Sequence, residues 1–307
     1  MLPVSLVLVS DYESGEKSWA DERAALVAYL GDPNGVPAEV IVMESGLGAA
    51  GPPVIPQDIA ALAPQVRVCF ADTTSSSELK DAALAYCTCD LVAVAEADCI
   101  PLPGWLAALA EEIRQEQGFS AVSGRTTYQK DTSLMRVLSL LDRGYMEVSD
   151  EGRYSHVCNN GAIYRKEFLK KHQYPLNEIS PFVSAEMRQI EMLNAHARFG
   201  FRSDAVMYHA FGGLGFVYDV RRNKGYQAAT MISKGEPRGS AHIVLAAVRR
   251  TIEDDWKTVR RTSRYFVKRR DWLLLALTFL AVRIPEFIGA WQAARAPHDF
   301  AAATAYR

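Results

Sequence analysis

Glu96 and Asp98 stand one residue apart in AEADCIPLPGWL, residues 95–106, directly after a short apolar run. Alternation along an extended backbone turns both carboxylates to the same side. Paired hard oxygen ligands of this kind suit Mg2+ or Mn2+, ions that keep substrate phosphates among their other ligands. An acidic turn ahead of a helix is the competing reading. Three further groups could serve the same chemistry. Ser10, Asp11 and Tyr12 follow the first apolar run and could hydrogen-bond and stack a nucleobase, and Lys80 could offset diphosphate charge. Asn159 and Asn160 fit a turn in which short amides bond their own backbone.

These residues need a frame that brings them together. Short runs rich in Val, Ile and Leu at 4–9, 39–43, 66–70 and 91–95 are too brief for helices and too continuous for half-exposed strands. They alternate with helical patterns at 19–30, 57–63 and 78–86, the rhythm of an α/β fold with a mostly parallel sheet flanked by helices. On such sheets ligands sit at the carboxyl ends of the strands, which is where Ser10, Glu44 and Glu96 fall. Farther on, the pattern predicts a helix to about residue 117, a strand over 119–123, helices over 132–148 and 186–199, a further segment over 159–164 and a strand over 205–208.

Composition narrows the class. The chain has 307 residues, 49% hydrophobic and 23% charged, with a net charge of −2, which excludes disorder and bulk nucleic-acid binding. Five cysteines, with neither a disulfide nor a zinc rhythm, read as reduced thiols in a cytoplasmic protein. Gly46, Gly48 and Gly51, with Asp72 downstream, satisfy a dinucleotide-binding spacing that would imply an NAD-dependent oxidoreductase. That mechanism needs a helix immediately after the glycines, and Pro52, Pro53 and Pro56 stand there instead.

The strand, the acidic pair and the following I-P-L-P-G-W-L resemble glycosyltransferase family 2, the nucleotide-sugar-dependent enzymes of the GT-A fold. The resemblance covers about the first 230 residues. It implies that Asp98 coordinates the metal bridging the donor diphosphate, with Glu96 in place of the usual Asp at the ribose or metal shell. It places Ser10, Asp11, Tyr12 and Glu44 at the donor base and ribose. In SELKDAAL, Lys80 and Asp81 stand for the family's Arg and Asn. CNNGAIYRKEFL, with Asn159 and Asn160, resembles the segment near the acceptor, where Trp105 is also expected. SAEMRQIEML resembles the motif whose acid, at the start of a helix, deprotonates the acceptor hydroxyl, which assigns Glu186 as general base. Glu191, five residues on, is the weaker candidate. His209, closing DAVMYH, would be a third metal ligand or a diphosphate contact, and Arg222 would belong to a basic flap over the diphosphate.

The resemblance thus implies an inverting transferase that uses Mn2+ or Mg2+ and a nucleotide-sugar, UDP-linked first and GDP- or dTDP-linked next. Its acceptor would be a carbohydrate or a lipid-linked one, in polysaccharide or glycolipid synthesis. The departures from the motifs leave open a degenerate domain that binds nucleotide or a partner without turnover. A catalytic domain over 1–235 and a helical extension over 236–307 are expected, with a homo-oligomer left open. Residues 220–270 carry 14 Lys or Arg against 4 Asp or Glu and lead into DWLLLALTFLAV. That apolar run is too short to span a bilayer before Arg283, Pro285 and Glu286 interrupt it. It suits a peripheral helix on the inner face of a membrane or a helix packed on the protein.

Overall fold

A computed structural model describes residues 1–10, 19–47, 53–129, 131–150, 153–175, 180–235 and 240–295. Its strands are β1 (Leu2–Val9), β2 (Pro37–Ser45), β3 (Val66–Ala71), β4 (Leu91–Glu96), β5 (Cys99–Pro101), β6 (Ala121–Tyr128), β7 (Ser149–Asp150), β8 (Arg153–Tyr154), β9 (Gly161–Arg165) and β10 (Phe199–His209). The helices are α1 (Ala20–Leu30), α2 (Gln57–Ala60), α3 (Ser76–Ala83), α4 (Trp105–Gln115), α5 (Ser133–Arg143), α6 (Lys166–Lys171), α7 (Pro181–Asn194), α8 (Leu214–Gly235), α9 (Ser240–Phe266), α10 (Trp272–Ala281) and α11 (Arg283–Arg295). Two compact units emerge, one of residues 1–127, 149–174 and 188–210, the other of 128–148, 175–187 and 211–307.

The first unit is built on one sheet in the order β3-β2-β1-β4-β9-β6-β10-β8-β7, with β5 paired to β10. Its apolar runs form the parallel part, where β1 pairs with both β2 and β4, and β2 with β3. Beyond β4 the sheet turns antiparallel, because β9 pairs that way with both β4 and β6. Val4, Leu6, Leu8, Val40, Val42 and Ala93 fill one core with Tyr29 of α1 and Leu106 and Leu109 of α4. Gly104 begins α4 in the left-handed region, at φ 88°, where a side chain would be strained. Side-chain caps close two helix starts: Ser75 accepts from the Glu78 amide and Thr132 from the Met135 amide.

Several boundaries differ from expectation: β6 runs on to Tyr128, α5 ends at Arg143 and α7 at Asn194. The strand over 205–208 begins at Phe199, and the helix expected from Glu186 begins at Pro181. Ser180 accepts the Val183 amide at 3.4 Å, and a proline at the first helical position costs no hydrogen bond. Glu186 therefore lies in the second turn.

The second unit is helical. Tyr226, Ala229, Val244, Ala247, Ala290 and Ala293 form a core of mostly small side chains among α8, α9 and α11. Backbones approach closely there, since a methyl on Gly225 would meet the Glu286 carbonyl and one on Gly289 the Arg222 carbonyl. Six charges are built into the same unit. Arg221 lies 3.2 Å from Asp142, 2.9 Å from Asp255 and 3.0 Å from Glu286. Asp255 also pairs with Lys224 at 2.5 Å and with Arg283. Burial opposes the Asp255 charge, but Lys224, Arg221 and Arg283 hold its carboxyl well below the usual range.

Pro285 does not end the C-terminal helical path. It occupies the first turn of α11, where the lost amide is one that no carbonyl within that helix would have accepted. Residues Arg269–Arg295 are long and apolar enough to cross a membrane by length and composition.

Candidate active site

Where β4 ends, four metal-capable side chains converge. Ligand atoms of Glu96, Asp98, Cys99 and His209 all lie within 4.8 Å of one another. The convergence does not come from strand alternation as expected, because β4 stops at Glu96 and the chain turns at Ala97-Asp98. A short return does the positioning: β5 pairs antiparallel with β10, setting Cys99 opposite His209, and the Ala210 amide donates to the Asp98 carbonyl at 2.9 Å.

His209 Nδ1 lies 2.7 Å from the Ala210 carbonyl and 3.4 Å from Asp98 Oδ2. A carbonyl can only accept, so Nδ1 carries a proton, and in the neutral ring the lone pair then sits on Nε2, the tautomer a metal-binding imidazole requires. Carboxylate oxygens with a neutral imidazole fit Mn2+ or Mg2+. Cys99, fully buried, adds a thiol that sequence reasoning counts only as one of five reduced cysteines.

Glu96 is held from two sides. Its Oε1 accepts from the Lys80 ammonium at 2.7 Å and its Oε2 from the Asn160 amide at 2.7 Å. Burial would raise its pKa, but the Lys80 ammonium, with the Asn160 amide, holds its carboxyl well below the usual carboxylate range. Asn160, expected near the acceptor, is brought here because Gly161 pairs with Ala95 across β9 and β4, so the residue before Gly161 lands beside Glu96. Asn159 instead accepts from the Tyr174 hydroxyl at 3.2 Å.

Asp81, next to Lys80, accepts the Tyr174 amide at 2.6 Å. Burial pushes its pKa up to about 6 although Arg188 opposes the shift. Between about pH 4 and 6 the folded protein keeps a proton that the unfolded chain has released, so this group lowers stability as pH rises through that window. Asp81→Asn, which still accepts the Tyr174 amide, should be flat there and more stable than wild type by about 2–3 kcal/mol at pH 7. Thermal melts from pH 4 to 7.5 read the difference, and parallel profiles for the two proteins would refute the assignment.

At the carboxyl ends of β1 and β2, the Ser10 hydroxyl bonds Glu22 and, at 3.2 Å, Glu44. Asp11 and Tyr12 lie outside the described residues, as do Gly48 and Gly51 of the glycine loop. Among the described residues, the first helix after that loop is the four-residue α2, which begins at Gln57. Trp105 is 1% exposed, packed edge-to-face on Tyr29 with ring centroids 5.9 Å apart, so the structure puts it in the core rather than at an acceptor surface.

Glu186 and Arg222 belong to the second unit. Glu186 accepts from Arg250 at Oε1 and from Gln227 at Oε2, 2.8 Å away. Arg222 lies 3.7 Å from Asp219.

Sequence reasoning missed Cys99, Glu22 and Arg188. Glu22 shares the 22, 25, 26, 29 spacing of the buried face of α1, which was a readable signal. Arg188, buried with its guanidinium 4.2 Å from the Tyr174 ring centre, gave none.

Residues 35–173 match the family model of glycosyl transferase family 2. Among solved structures, a mannosyltransferase from Pyrobaculum calidifontis, in complex with GDP-Man and Mn2+, superposes with a TM-score of 0.59 at 14% identity, covering 97% of this chain and 87% of that one. Glucosyl-3-phosphoglycerate synthase from Mycobacterium tuberculosis, in complex with Mn2+, UDP and phosphoglyceric acid, gives 0.51 at 18% identity over 77% of this chain and 80% of that one. No curated protein matches the chain. The family resemblance is thereby borne out over residues 35–173, and the superpositions bear out the GT-A fold read from the residues.

Proposed function

We propose that this glycosyltransferase, with a family 2 segment on a GT-A fold, transfers a sugar with inversion from a nucleotide-diphospho-sugar to an acceptor hydroxyl, in polysaccharide or glycolipid synthesis. The observation that carries the reading is the convergence of Glu96, Asp98 and His209 at the end of β4. Asp98 and His209 would hold Mn2+ or Mg2+, which when bound supplies positive charge to the departing diphosphate.

The chain's own residues do the rest. The Lys80 ammonium and the Asn160 amide fix Glu96 as an anion, and its remaining lone pairs can accept a ribose hydroxyl. Ser10 and Glu44 close the adjoining end of the sheet as hydrogen-bonding groups for the nucleoside. Glu186 takes the acceptor proton, and to do so it must share or release the donors Arg250 and Gln227.

Calorimetric titration with UDP, GDP, dTDP and NAD, each with and without Mn2+, tests the reading. One nucleoside diphosphate should bind, and only with the metal. Binding of NAD alone would overturn the proposal, and no binding by any of the four would leave a domain without donor chemistry.

A further inference from the structure

The helical path through α10 and α11 has two unlike sides. Val282, between the two helices, bonds back to the Thr278 carbonyl at 3.0 Å, so the turn continues through it. One side is sealed into the second unit: Leu275, Val282, Gly289, Ala290 and Ala293 are buried. Glu286 accepts from Arg221 at 3.0 Å and from Thr251 at 2.7 Å.

The other side is apolar and open. Leu273, Leu277, Leu280, Ile284, Phe287 and Trp291 are each 40–74% exposed. Their intervals of 4, 3, 4, 3 and 4 residues draw one stripe along the helix. A row of this kind on a soluble surface marks an interaction site.

Charge identifies the occupant. Arg269 and Arg270 are exposed just ahead of Trp272, and Arg295 closes the far end with its guanidinium 4.3 Å from the Trp291 ring centre. Cations and tryptophans at both ends of an apolar stripe are the arrangement of a helix lying in a headgroup layer. The 220–270 segment leading into it carries its excess of ten positive charges. A spanning helix does not fit, because Arg283 and Glu286 in mid-path belong to the buried ion network and would have to enter hydrocarbon.

We propose that α10–α11 is an in-plane membrane anchor: the stripe from Leu273 to Trp291 enters the interface of an anionic phospholipid surface while the opposite side stays packed on the protein. The inference stands apart from the transferase reading and needs no donor or acceptor for its test.

The full chain is floated with vesicles of phosphatidylcholine alone and of phosphatidylcholine with one third phosphatidylglycerol, at low and high salt. Wild type should bind the anionic vesicles at least ten-fold better than the neutral ones, less in high salt, and wash off in alkaline carbonate. Leu277→Glu with Ile284→Glu should abolish binding, with an unchanged melting profile because both side chains are exposed. Arg269→Glu with Arg270→Glu should weaken it by on the order of ten-fold or more. Four results would overturn the proposal: no anionic binding by wild type, undiminished binding by the Leu277/Ile284 variant, resistance to carbonate, which means a span, or a dimer by ultracentrifugation that the same variant dissolves, which means a second copy covers the stripe.

Discussion

Asp98→Ala should lower transfer by about 10²–10³-fold, the scale at which one preorganised electrostatic group contributes to a charged transition state. Its carboxylate stands 3.4 Å from His209 and within the four-residue ligand set, so the substitution removes a carboxylate ligand from the candidate cation site. Folding should survive, because the contact that fixes this turn uses the Asp98 backbone carbonyl, which accepts from Ala210 whatever the side chain. Loss of activity with an unchanged melting curve, together with loss of metal-dependent diphosphate binding, is the expected pair of results. Turnover within three-fold of wild type would remove Asp98 from the site.

The second large effect is on stability. Arg221→Met leaves Asp142, Asp255 and Glu286, each within 3.2 Å of the guanidinium, without their shared cation. Arg221 is fully buried, so water cannot take its place, and breaking a buried pair from one side costs about 3–5 kcal/mol. Thermal melting should fall by roughly 5–10 °C. Arg249→Met, which breaks the exposed pair with Glu253, serves as the comparison and should leave melting where it was. A melting point for Arg221→Met as high as that of the comparison would show that Lys224 and Arg283 suffice to balance the buried carboxylates.

The parallel half of the sheet was legible because β1, β2 and β4 are buried along nearly their whole length and so are written as continuous apolar runs, while β3, at the edge, is buried only at Val66. The acidic pair was legible because its flanking prolines and glycine give it a local pattern. Partnerships across the fold were not. That Lys80 and Asn160 grip the same carboxylate comes from α3 and β9 both arriving beside β4, and no spacing along the chain records it. Cys99 joins the ligand set only because β5 turns back onto β10. The start of α7 carries a readable signal: Ser180-Pro181 is a cap and then a favoured first residue, and recognising it moves Glu186 off the helix terminus.

The interleaving of the two units along the chain bears on how the protein is made. Val137, Leu140 and Leu141 of α5 find their apolar partners in Val259, Phe266 and Leu275, more than a hundred residues later in synthesis. At about 5–20 residues per second, that face stays uncovered for on the order of ten seconds while translation continues. The nascent chain is thus a natural client for chaperones over that interval, and truncated messages ending before α9 should yield aggregates rather than a smaller soluble enzyme.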